Sequence, residues 1–233
     1  MKVFIGFDSK QKTASKVCEY SIQKNSKTHV EIFHLDTNKL REDNIYFRPD
    51  GDPSSTEFTY SRFLVPYLSD YKGYSIFVDS DFLFLDDIQK VFNLALMDFD
   101  RKKRAAYCVK HLEYKPKTDT KFYGKPQLTF PKKNWSSLIL FNNEHPSCKN
   151  LSPLTIANKS PQWLHRFEWL NENEGELSNI PITWNWLVGE YNNKVNPSAL
   201  HFTNGGPFNE VYGQDYEEIW NDYLNESMIG PNI

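Results

Sequence analysis

Cysteine is scarce in this chain, and the three present, Cys18, Cys108 and Cys148, lie far apart. An odd number at such separations makes neither a disulfide framework nor a cysteine metal site, which suits a reducing compartment. Net charge is nearly absent too: 30 acidic against 27 basic side chains leave −3. Nothing therefore pulls the chain as a whole towards nucleic acid or an anionic membrane. Long apolar runs are missing, so no stretch has the length to span a bilayer. The opening Lys2-Val3-Phe4-Ile5-Gly6-Phe7 is too short for a secretory leader and lacks a cleavage pattern. Four Asn-x-Ser sequons, at Asn134, Asn150, Asn158 and Asn225, accordingly read as chance. The expectation is a cytoplasmic protein without a membrane span or a nucleic-acid partner. No repeat, low-complexity tract or linker divides the 233 residues, which is a length one large domain can hold.

Aromatic residues are plentiful at 15%; at that density they fill a core or line sugar and base pockets. Residue spacing predicts a strand over Val3–Phe7, a helix over Gln11–Lys24 with Ala14, Val17, Cys18, Ser21 and Ile22 on one face, and a strand over Val30–Leu35. A polar loop is expected from Arg41 to Ser55. Phe58–Leu68 has helical spacing with a kink at Pro66. Asp86-Asp87 marks a helix start before Ile88, Val91, Phe92 and Ala95. Ala105–Val109, Leu138–Phe141, Ile180–Ile182 and Ala199–Phe202 read as strands. Ser152-Pro153, Pro161–Leu170 and Glu217–Leu224 read as helices or helix starts. The long irregular stretch from His111 to Lys133 is of a kind that is often functional. Strand–helix alternation in the first half predicts an open, mostly parallel α/β sheet, which binds ligands at the carboxyl ends of its strands.

The segment Tyr74-Ser75-Ile76-Phe77-Val78-Asp79-Ser80-Asp81 carries the chemistry. An apolar strand runs straight into two carboxylates, and two like charges beside a core are costly unless a cation sits between them. Residues one and three of a strand end point the same way. Both carboxylates can then converge on a hard cation such as Mg²⁺ or Mn²⁺, which takes oxygen ligands and bridges to phosphates. Asp-x-Asp alone is weak in a chain with 30 acids, but two companions support it. Tyr60-Ser61-Arg62-Phe63 sets one arginine among apolar neighbours. His201-Phe202-Thr203-Asn204-Gly205-Gly206-Pro207-Phe208 sets a histidine before two glycines, whose backbone can approach an anion closely.

This ordered set resembles the GT-A nucleotide-sugar glycosyltransferases, most nearly their family 8-like group, over essentially the whole chain. Phe4-Ile5-Gly6-Phe7-Asp8 matches the first strand and donor turn, and Asn134-Trp135-Ser136-Ser137-Leu138 falls where an Asn-Ser-Gly strand is expected. The resemblance implies a single GT-A (Rossmann-like) domain over 1–233, its mostly parallel central sheet flanked by helices. The donor-binding half would be about 1–110 and the acceptor and metal-loop half about 111–233. It implies transfer of a sugar, with retention, from a UDP-sugar donor to a carbohydrate or other hydroxyl acceptor, with Mn²⁺ (or Mg²⁺) as cofactor.

The resemblance makes Asp79, Asp81 and His201 the metal ligands. Phe7, Asp8, Arg62, Asp79, Ser80, Gly205 and Gly206 become donor contacts: Asp8 for base or ribose, Arg62 facing the diphosphate or sugar, and the glycine amides near the β-phosphate. Asn185, within Trp184-Asn185-Trp186 where the family often has Asp-Gln, joins Asp79 and Asp81 as a catalytic candidate. Three departures stand out: Pro207-Phe208 where a Lys is usual, Trp135-Ser136-Ser137 for Asn-Ser-Gly, and that Asn185 segment. Lys125, Lys132 and Lys133 could supply the missing charge. Glu113, Glu190 and Asp215 are possible general bases, and none stands out; a retaining enzyme needs none. The alternative is a haloacid-dehalogenase-type phosphatase using Asp79 and Asp81, although that group carries its motif near the N-terminus.

Overall fold

The computed structural model describes residues 1–49, 54–112, 114–117, 131–191, 195–209, 213 and 215–229. Its strands are β1 (Lys2–Gly6), β2 (Glu31–Leu35), β3 (Tyr74–Val78), β4 (Phe82–Phe84), β5 (Ala106–Cys108), β6 (Leu138–Asn142), β7 (Leu177–Asn179), β8 (Trp186–Leu187) and β9 (Ala199–His201). Six form a sheet of order β2-β1-β3-β6-β5-β7. β1 pairs in parallel with β2 and β3, β5 in parallel with β7, and only β6 runs against its neighbours. A small second sheet has the order β4-β9-β8.

Period-two alternation decides which layer each strand residue joins. Phe4, Phe77, Ile139 and Phe141 face one core with Phe58, Phe63 and Leu64. Val3, Ile5, Ile76, Val78, Leu138 and Leu140 face the other with Cys18, Ile22, Val91 and Phe92. Both faces are covered, as a mostly parallel sheet requires. The covering helices are α1 (Lys12–Asn25) and α4 (Gln89–Met97) on the second face. On the first, α3 (Val65–Leu68) follows a 3₁₀ turn over Ser61–Leu64. A third cluster joins Val17, Leu83, Leu200 and Phe202 to Trp220 and Tyr223 of the helix Glu217–Ile229. The predicted acidic helix start holds: Asp87 Oδ1 accepts from Gln89 N at 3.0 Å.

Several expectations change. Phe58–Leu68 is two short helical pieces rather than one kinked helix, and Pro66 sits in the first turn of α3, where its missing N–H costs nothing. The strand expected at Ile180–Ile182 is β7, three residues earlier; Pro181 lacks the N–H that would continue the ladder, and Ile182–Asn185 is a 3₁₀ turn. The helix over Pro161–Leu170 stops at His165, and Phe167 follows with φ +58°. Helix α2 (Thr37–Glu42) enters the polar loop and is capped by Asp36, which accepts from Asn38 N at 2.9 Å.

Candidate active site

β3 ends at Val78 and β4 begins at Phe82, so Asp79-Ser80-Asp81 is the elbow by which the chain leaves the large sheet for the small one. Two ladders continue into that elbow. Asp79 N donates to Ser137 O at 2.9 Å, extending the β3–β6 pairing. Phe202 N donates to Asp81 O at 3.0 Å, extending β4–β9, in which His201 lies opposite Phe82. Residues 120 positions apart in sequence thus meet through strand register.

One ligand atom from each of Asp79, Asp81 and His201 falls within 4.8 Å of the other two. Ligands about 2.1 Å from an octahedral ion are about 3 Å apart when adjacent and about 4.2 Å when opposed, so the triad could hold a divalent cation once its widest separation closes by roughly half an ångström or more. Two carboxylates and one imidazole form a donor set that Mn²⁺ accepts. His201 is buried, stacked on Phe82 with ring centroids 4.4 Å apart, and its Nε2 lies 3.3 Å from Asp81 Oδ1.

Its other nitrogen faces Asn185. Asn185 Nδ2 donates to Ser137 Oγ at 2.8 Å and to Asn134 O at 3.2 Å, while Ser137 Oγ donates to the same Asn134 carbonyl at 2.6 Å. With both amide protons spent, Asn185 Oδ1 is an acceptor, so His201 Nδ1 at 2.8 Å must carry the proton. Nε2 therefore faces the carboxylates and would be the nitrogen offered to a bound cation, the tautomer that a metal ligand needs. Asn134 supports this network from a left-handed backbone, φ +63°, a conformation that asparagine tolerates. Asn185 is fully buried behind His201.

Arg62 approaches from the opposite core. Its Nη1 lies 2.8 Å from Asp79 Oδ1 and 2.8 Å from Ser136 O, and Nε donates to Thr59 O at 2.9 Å. The guanidinium lies 4.8 Å from the centroid of the Phe77 ring. Burial lowers its pKa, while Asp79 and Asp81 act against that shift. It therefore offsets part of the charge of the two acids. Burial also holds two nearby imidazoles neutral. His111 is pushed down to about 3, with the His201 ring adding to the effect. His165, bonded to Ser136 Oγ at 2.9 Å, falls to about 3, with Arg62 and Arg48 contributing.

The other expected contacts lie apart from this cluster or are engaged within the protein. Asp8 Oδ1 accepts from Lys10 N at 2.9 Å and Oδ2 from Glu57 N at 3.3 Å, so the carboxylate joins two loops. Ser80 is buried against Gln11, 3.4 Å away. Phe7 packs edge-on to His34 and lines a cavity of about 550 Å³ with Lys12, Lys16, Asp36 and Lys39. The Gly205 amide donates to Phe202 O at 2.9 Å inside a turn whose φ of +104° only glycine adopts readily. Gly206 is packed so closely that a Cβ would lie 2.5 Å from the Phe208 ring. Lys132 is bonded to Arg166 O and to Glu172, and Lys133 is buried with its ammonium 6.0 Å from the Tyr114 ring. Glu190 accepts from Lys117 N and Asn204 Nδ2. Glu113 and Lys125 lie outside the described residues.

No family model matches the sequence. The chain is 40% identical over 231 residues to Protein CDI of Arabidopsis thaliana, covering 97% of this chain and 86% of that protein. Among solved structures it resembles the WbbM bifunctional glycosyltransferase, with a TM-score of 0.63, 17% identity and 96% of this chain aligned. It also resembles the glycosyltransferase GlyE of Streptococcus pneumoniae TIGR4, at 0.61, 14% and 98%. The galactosyltransferase LgtC, solved with donor and acceptor sugar analogues, gives 0.57, 12% and 97%. The chain spans 49% of the WbbM chain, 61% of the GlyE chain and 95% of the LgtC chain. The fold is that of the GT-A glycosyltransferases.

Proposed function

The chain belongs to the same family as Protein CDI, and from that premise and the GT-A fold we propose that it is a divalent-metal-dependent, hexosyltransferase-like glycosyltransferase. The proposed donor is a UDP-sugar, the acceptor a carbohydrate or other hydroxyl compound, and the cation Mn²⁺ in preference to Mg²⁺. The observation that carries this reading is the convergence of Asp79, Asp81 and His201 at the elbow beyond β3.

In sugar transfer the bond between the anomeric carbon and the diphosphate breaks, and negative charge grows on the departing oxygen. A bound divalent cation supplies the Lewis acidity that offsets this charge. The chain's own residues hold that position. Asp79 and Asp81 provide oxygen ligands, and His201 provides Nε2. Arg62 fixes the rotamer of Asp79 from behind. Asn185 acts through His201 as a positioning residue, keeping the proton on Nδ1. Phe7, Asp8 and the Gly205–Gly206 turn are proposed to shape the donor side through backbone and ring contacts, since the Asp8 carboxylate is spent on its own loops. Retention is proposed with the leaving diphosphate taking the acceptor proton. The phosphatase reading fares worse: a nucleophilic carboxylate must be free to attack, whereas Asp79 is ion-paired to a buried arginine.

A panel of nucleotide sugars with and without Mn²⁺, scored for release of the nucleoside diphosphate without acceptor, tests this function. Manganese-dependent hydrolysis of one donor, lost in Asp81→Asn, is expected. Turnover of p-nitrophenyl phosphate with no donor hydrolysed, or an absence of any thermal shift with Mn²⁺ and UDP together, rules it out.

A further inference from the structure

Helix α4 buries Val91, Phe92 and Ala95 against the sheet, yet its last turn is apolar on the outer side as well. Leu94 and Leu96 are exposed, Met97 is 77% exposed, and Phe99 just beyond the helix is fully exposed. A helix end that is apolar all round is ordinarily covered by something. The next residues are cationic: Arg101, Lys102 and Lys103 are all exposed. The segment Asp98 to Arg104 holds two acids and four bases, a net of two positive charges.

The acids are engaged locally. Asp98 Oδ2 lies 3.2 Å from Arg104 Nε and accepts from Tyr107 OH at 3.2 Å. Asp100 faces Lys103 Nζ at 3.3 Å and Arg104 Nη2 at 3.6 Å. Arg101 and Lys102 carry the excess charge beside the apolar tip.

We propose that this tip is a peripheral docking site for an anionic phospholipid bilayer, with Met97 and Phe99 entering the headgroup boundary and Arg101 and Lys102 meeting lipid phosphates and carboxylates. Large apolar side chains next to a short basic run are what an interfacial anchor combines. A second protein partner would bury the apolar groups equally well, but the flanking excess of positive charge favours a negatively charged surface. The placement is compatible with a working enzyme. The segment precedes β5, which runs parallel to β3, and Asn142, paired with Tyr74 at the start of β3, donates to Arg101 O and Arg104 O, so the tip lies at the opposite end of the strands from the Asp79-Ser80-Asp81 elbow. Docking there leaves the triad facing away from the bilayer. The inference does not rest on the proposed activity.

Co-sedimentation of the full chain with vesicles tests it, using phosphatidylcholine alone and phosphatidylcholine mixed with phosphatidylserine. Binding to the mixed vesicles alone, weakened by salt, is expected. The double variant Arg101→Gln, Lys102→Gln is expected to bind about 25-fold more weakly, at about fivefold per charge near an anionic surface. Phe99→Ser should lose binding and Phe99→Leu should restore most of it, which separates insertion from a folding defect. Thermal midpoints should match wild type in all three. Wild type remaining in the supernatant at low salt overturns the proposal, as does binding indifferent to both kinds of substitution. Light scattering that shows a Phe99-dependent dimer without lipid overturns it too, because a second copy then covers the tip.

Discussion

His201 donates from Nδ1 to Asn185 Oδ1 across 2.8 Å, and that bond points Nε2 towards Asp79 and Asp81. The direction follows from Asn185 spending both amide protons on Asn134 O and Ser137 Oγ. Outer-shell partners of this kind are typically worth about 10- to 100-fold in metal affinity. Asn185→Leu keeps the volume and removes the acceptor, so Mn²⁺ affinity measured by electron paramagnetic resonance should fall by about that factor. Asn185→Asp, which keeps an acceptor oxygen, should recover part of it. A leucine variant that binds Mn²⁺ like wild type would remove Asn185 from the metal's support.

Arg62 and Asp79 form a buried pair whose two members answer differently to a cation. Arg62→Met leaves Asp79 and Asp81 without the guanidinium, and breaking a buried pair from one side costs about 3–5 kcal/mol. Binding a divalent ion replaces the lost charge. In chemical denaturation, Mn²⁺ should therefore stabilise Arg62→Met by more than it stabilises wild type. Equal increments in the two proteins would mean that the arginine and the ion site do not share their charge.

The elbow was legible because Ile76-Phe77-Val78 ends β3 as an apolar run and the chain then meets two acids, a contrast that burial energetics makes unmistakable. His201 was legible through the two glycines after it. What joins them was not. β4 is three residues long with no polar alternation to mark it, and it alone carries β9 back to Asp81. The partner of Arg62 is set by a helical piece crossing the end of β3, which no local spacing encodes. Asn185 stood out only as a departure from a family pattern; its contact with His201 depends on Ile182–Asn185 being a 3₁₀ turn that follows Pro181 rather than a strand. The Asp8 carboxylate looked available for a ligand because its two amide partners, Lys10 and Glu57, come from loops without periodicity.

Acid should unfold this protein earlier than its carboxylates alone require. His111 and His165 titrate near 3 when folded against about 6.5 when unfolded. Between those values the unfolded chain binds more protons, so stability falls as pH drops through about 6.5 and continues to fall towards 3. Each neutral buried imidazole adds a slope of about 1.4 kcal/mol per pH unit in that window. His165→Gln should reduce the slope of unfolding free energy against pH between about 6 and 4 by roughly one proton's worth, whatever it does to stability at neutral pH. An unchanged slope would show that His165 is protonated in the native protein.

Gly6 ends β1 with the Phe58 ring directly against it. A Cβ at position 6 would lie 2.4 Å from Phe58 Cδ2, and that ring is 1% exposed, so it has no open side to move into. Phe58 also supports the Arg62 guanidinium, whose carbon lies 5.4 Å from the ring centroid. Gly6→Ala is therefore expected to cost about 1–3 kcal/mol as an overpacked core and to displace Arg62 from Asp79. The second effect separates this variant from a general loss of stability. At a temperature where both proteins are folded, Gly6→Ala should bind Mn²⁺ with altered affinity, whereas Gly73→Ala, strained by its φ of +60° but lying at the far end of β3 with nothing within 4 Å of its added Cβ, should lose stability yet bind Mn²⁺ as wild type does. If Gly6→Ala lowers the unfolding midpoint but leaves Mn²⁺ binding untouched, the path from β1 through Phe58 to Arg62 carries packing alone.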